Sequence, residues 1–113
     1  MKELLDAIVA NPADDAVRRV YADALLEEGE PLGELIHVQL DLATGGLSRE
    51  AGIARRKRER ELWLAHRERW TAPLADLAVD VQVRRGFVEE ARVDAGVLVD
   101  RGDDLFARAP LLR

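Results

Sequence analysis

The sequence predicts an α+β domain that is predominantly α: a compact bundle of about four helices, then a β-hairpin and a C-terminal helix. Three observations carry this. Apolar residues recur at helical spacing through residues 1–77. The periodicity switches to strict alternation at Val79, Val81 and Val83. Breakers separate the periodic stretches at Asn11-Pro12, Gly29, Thr44-Gly45-Gly46, Pro73 and Arg85-Gly86. A chain of 113 residues fits one domain, in which 1–77 form the helical bundle and 78–113 the hairpin plus terminal helix.

The first helix is expected over 2–11, where Leu4, Leu5, Ile8 and Val9 share a face. It stops because the residue before Pro12 is pushed out of the α region. A second begins near Asp14, with Asp14 or Asp15 as cap or first-turn charge. Its expected stripe is Val17, Val20, Tyr21, Ala24 and Leu25, and Gly29 is placed to close it in a left-handed conformation. Pro31 suits the first position of a third helix, lined by Leu32, Leu35, Ile36, Gln39, Leu40 and Ala43. Ser48 is then expected to cap the longest helix, running to about 70, with Ile53, Trp63 and Trp70 on its seam and Leu74 and Leu77 extending it. Residues 79–83 and 87–93 read as strands joined by an Arg85-Gly86 turn. The stretch 95–109 reads as a helix weakened by Gly96 and Gly102. Val20, Tyr21, Leu25, Leu35, Ile36 and Trp63 are the expected core.

The chain has no cysteine, which excludes disulfides, thiolate zinc sites and cysteine nucleophiles. Acidic residues follow Met1-Lys2 at once, so no signal-peptide core is expected there, and no apolar run approaches a membrane span. A cytoplasmic location without membrane contact is the expectation. The net charge of −5 is unevenly spread. Residues 1–47 carry three basic and ten acidic side chains, 48–70 eight and four, and 71–113 six and eight.

The stretch Arg19-Val20-Tyr21-Ala22-Asp23-Ala24-Leu25-Leu26-Glu27-Glu28-Gly29-Glu30-Pro31-Leu32-Gly33-Glu34-Leu35-Ile36 and the later Arg84-Arg85-Gly86-Phe87-Val88-Glu89-Glu90 resemble, in order, the two signatures of the repeat-companion domain family of myxobacteria and planctomycetes. Ala24 stands where that family usually has tryptophan, Glu30 where it has aspartate and Leu35 where it has phenylalanine. The resemblance implies a bacterial domain without established activity that often precedes leucine-rich or other repeats. Within the motifs, Tyr21, Asp23, Glu27, Gly29, Pro31, Gly33, Glu34, Gln39, Arg85 and Gly86 are expected to be structural. Independently, Val88-x-x-Ala91-x-Val93 has the strand spacing of a leucine-rich repeat. Ala109-Pro110-Leu111-Leu112-Arg113 then looks like the start of a further unit about one repeat later.

Candidate chemistry is sparse. Asp23, Glu27, Glu28, Glu30 and Glu34 could hold a divalent cation or a basic peptide, but their spacing lacks the alternating ligands of a calcium loop, and a solvated helix face is the simpler reading. His37 and His66 lie far apart, Ser48 has no nucleophile elbow around it, and Glu89 and Glu90 point to opposite faces of a strand. No catalytic residue, metal site or cofactor is therefore expected. The expected role is a non-catalytic protein-interaction or repeat-capping module. A protein partner or self-association would engage Phe87, Glu89, Ala91, Val93, Leu111 and Leu112. The alternative is a nucleic-acid-associated helical protein that uses the run Arg55-Arg56-Lys57-Arg58-Glu59-Arg60, with Arg55, Arg56 and Arg58 as contacts. Interleaved glutamates for helical pairing argue against it.

Overall fold

The computed structural model describes residues 2–78 and 80–112, and of Val97 and Val99 only the backbone. Four helices come first: α1 (Lys2–Ala10), α2 (Asp15–Glu27), α3 (Pro31–Thr44) and α4 (Arg49–Thr71). A 3-10 turn (Ala72–Leu74) leads to an antiparallel hairpin of β1 (Asp80–Arg84) and β2 (Phe87–Arg92), followed by α5 (Ala95–Arg108). The α+β order with helical dominance is the one the sequence implies. Val79, the expected first strand residue, and Arg113 lie outside the described residues.

Local chemistry sets the helix ends. Asp14 accepts a hydrogen bond from the Ala16 amide at the start of α2, and Ser48 Oγ accepts from the Ala51 amide at the start of α4. Helix α2 closes on Gly29, whose φ is 76°. The Gly29 amide donates to Leu26 O and the Glu30 amide to Leu25 O, the paired bonds of a Schellman motif. Pro31 then opens α3 at a position where a missing amide costs nothing.

Helix α3 is the axis of the domain. Leu35, Ile36, Val38 and Leu40 are all within 1% of complete burial. One side meets Ile8, Tyr21 and Leu25 of α1 and α2; the other meets Leu62 and Trp70 of α4. Gly33 permits the α2–α3 approach, since a Cβ there would lie 2.5 Å from the Ala22 carbonyl oxygen. A third cluster joins Leu74 and Leu77 to Leu105 and Ala109, with Val81 and Val88 of the hairpin and Val93 just after it packed on it.

Several expected positions are corrected. The core face of α2 is Arg18, Tyr21, Ala22 and Leu25, and Val20 is 53% exposed. The stripe is rotated because a long polar side chain, Arg18, takes the place an apolar residue was expected to fill. On α4 only Gly52 and Leu62 are buried; Ile53 is 55% exposed and Trp63 is half-buried, with its ring 6.4 Å from that of Trp70. Ala43 is exposed on α3. Leu74 and Leu77 do not extend the α4 seam but found the core beneath the hairpin and α5. Helix α5 breaks at Arg101, whose φ of −131° is non-helical, directly before Gly102.

Candidate functional site

The hairpin is fastened to the helices by a buried polar knot. Arg18 is wholly buried. Its Nε and Nη2 donate to the Pro12 carbonyl at 3.1 and 2.7 Å, and its Nη1 donates to the Arg85 carbonyl at 3.0 Å. The same Nη1 lies 3.5 Å from Glu89 Oε2, and the guanidinium sits 5.2 Å from the centroid of the Phe87 ring. Burial, and then the nearby Arg85 charge, pull the Arg18 guanidinium below its ordinary pKa, while Glu89 and Asp15 raise it. Arg85 completes the knot, reaching Asp15 at 2.8 Å and Glu89 at 3.5 Å.

The turn is shaped to take part in this. Arg85 and Gly86 have φ of 47° and 85°, the two positive values that a type I′ hairpin turn requires. Gly86 packs directly on α3, where a Cβ would come within 2.1 Å of Ile36 Cγ1. Gln39 clasps the turn from below: its Nε2 donates to the Val83 carbonyl at 3.1 Å and its Oε1 accepts from the Gly86 amide at 2.7 Å. The register pairs Val83 with Val88 and Gln82 with Glu90, so β2 carries one extra residue, Glu89. Such a bulge re-aims a side chain. Here it turns Glu89 to 4% exposure against Arg18, while Glu90 stays exposed and pairs with Arg84.

Other expected site residues fall into three places. Of the interaction candidates, Glu89 and Leu111 are buried, so neither is a surface contact. Glu89 is held in by Arg18, and Leu111 joins the core of Ile8, Tyr21 and Ile36. Phe87, Ala91, Val93 and Leu112 are half-buried. The acidic constellation is dispersed: Asp23 meets His37, Glu30 meets Arg69, Glu34 meets Arg58, and Glu27 and Glu28 face solvent. No group of three or more metal-binding side chains occurs among the described residues. Arg19 donates to His37 Nδ1 at 3.0 Å, so that nitrogen accepts and the Nε2 proton is directed to Asp23, 2.8 Å away.

The basic run divides by helical phase. Arg55 pairs with Asp41 and Arg58 with Glu34, two bonds at 2.6 and 2.7 Å, so both are committed to α3 rather than free for phosphate. Hydrogen bonding from Arg58 holds the Glu34 carboxyl below the usual carboxylate range, and Glu34 with Glu61 raises Arg58. Arg56 makes no ion pair among the described residues.

The sequence carries one signal for the knot, helical phase, but nothing local marks the arginine as buried. Arg18 stands three residues before Tyr21 and seven before Leu25, on the core face of α2. The bulge at Glu89 has no local signature. At the turn end of β2, Leu111 returns to the cluster against which Phe87 packs, and both residues line one groove with Pro110. The 109–112 segment makes a turn, with the Leu112 amide donating to Ala109 O, and is not a strand. Comparison with protein-family models, with curated proteins and with solved structures finds no match to this chain.

Proposed function

We propose that the chain is a non-catalytic, cytoplasmic protein-interaction module of the repeat-companion type that caps a leucine-rich-repeat-like array. The observation that carries this reading is the path of 87–111. Strand β2 is followed by α5, and the chain then comes back at Leu111 to the cluster holding Phe87. A return after about 24 positions falls within the roughly 20–29-residue period of such repeats. The hairpin has two strands, so each strand also has an outer edge, and the edge of β2 is where a parallel strand of a next unit would add. The 1–77 helices cover one end of such a stack, which is the service a terminal cap performs. A nucleic-acid role for the basic run is disfavoured, because two of its three expected contacts are paired to α3.

The test is a fusion of three consensus leucine-rich repeats after residue 113, unfolded in urea beside the repeats alone. A cap gives one cooperative transition and a higher midpoint for the repeats. Two independent transitions would reject the reading. Ala91→Pro, which removes a strand donor, should uncouple the fusion while leaving the helices folded.

A further inference from the structure

Arg49, Arg56, Arg60 and Arg67 stand at i, i+7, i+11 and i+18 of α4. At about 100° per residue they lie within about 40° of one another and extend over about 27 Å of helix. All four are exposed, and unlike Arg55, Arg58 and Arg69 none has an ion-pair partner among the described residues. Beside the row lie Ile53 and Leu64, 55% and 57% exposed, the two most exposed of the large apolar side chains described. The α4 glutamates Glu50, Glu61 and Glu68 fall about 100–120° away, and Glu59 about 80° away on the other side. A row of unpaired arginines bordered by bare aliphatics has the composition of a protein interface.

The complementary surface is on the same chain. Ala16, Val20, Asp23 and Glu27 form a straight outer stripe of α2 at i, i+4, i+7 and i+11, all exposed, with Val20 at 53%. No lysine or arginine lies on that stripe, since Arg18 is buried and Arg19 is bound to Asp41; of its two acids Asp23 also meets His37, and Glu27 faces solvent. Helix α3 stands between α2 and α4, so the two faces do not meet within one molecule. We propose that the α4 arginine row docks the acidic outer face of α2 from a second copy of this chain. Val20 then meets the Ile53–Leu64 margin, which a phosphate backbone would leave bare. The contact joins unlike surfaces, so it builds rings or chains. It is independent of repeat capping at β2.

Sedimentation equilibrium of the purified chain tests this at about 0.01 M ionic strength, where the screening length is about 30 Å, and at about 1 M, where it is about 3 Å. The average mass should exceed the monomer at low salt and return to it at high salt. Arg56→Glu with Arg60→Glu should weaken association at least about tenfold, as should Val20→Lys with Glu27→Arg, and a chain carrying all four changes should associate again. A strict monomer at low salt and high concentration overturns the proposal. So does association that neither salt nor the arginine reversals alter, which would place it at the strand edge. Salt-sensitive capture of a short DNA duplex by a chain that stays monomeric, lost on arginine reversal, would reassign the row to nucleic acid.

Discussion

Two sets of arginines in this chain have opposite surroundings. Around Arg18 the charge is sealed in: every polar contact is made within the protein, and no buried side-chain nitrogen or oxygen among the described residues lacks a partner. Along α4 the arginines are solvated, some paired to α3 and some with no ion-pair partner among the described residues. The contrast shows that an arginine's energetic weight comes from what surrounds it. A buried guanidinium that loses its carboxylate or its carbonyls cannot turn to water, whereas an exposed one can.

The largest expected effect is therefore at the knot. Arg18→Ala should cost about 3–5 kcal/mol in urea unfolding, because it takes the donor from the Pro12 and Arg85 carbonyls and one of the two arginines from buried Glu89. Replacing Arg18 and Glu89 together with Met and Leu should recover much of that loss, and a double-mutant cycle reads the coupling. Additive single effects would show that Arg18 and Glu89 are not coupled. Next comes Leu35→Ala, at about 2–5 kcal/mol, since Leu35 is fully buried on the axis helix. A loss below about half a kilocalorie would contradict its place in the core.

Gln39→Ala should cost about 1–3 kcal/mol by leaving the Val83 carbonyl and the Gly86 amide without their partner. Hydrogen exchange should quicken at the hairpin before it does in α3. The smallest effect belongs to α4. The Glu34 pKa is lowered on folding by Arg58. Its stabilising share is therefore present above the ordinary glutamate value of about 4.3 and is lost as pH falls through the lower folded value. Both partners are more than a third exposed, so the share is slight and salt should erase it. A Glu34→Gln variant with unchanged acid unfolding at low salt would show that the pair contributes nothing.

The same contrast governs what was legible beforehand. The helix ends were, because Asp14, Gly29, Pro31 and Ser48 act within a few residues of themselves. So was the hairpin, because Arg85-Gly86 and the alternation of Val81 and Val83 are local. The face of α2 was not: its apolar count favours Val20, and only the distant Glu89 and the Arg85 carbonyl make a buried Arg18 tolerable. The same holds for Arg55 and Arg58, which look like a basic run in sequence and are α3 partners in space. Arg56 and Arg60 could have been separated from them by helical phase alone.

Whether β2 presents its outer edge to a following repeat can be read by amide hydrogen exchange on the three-repeat fusion and on the chain alone. In an antiparallel pair alternate amides point away from the partner strand. The outward amides of β2 should be slowed strongly in the fusion, with those of α1 to α4 changed little. Unchanged exchange along β2, with both parts folded, would contradict the claim.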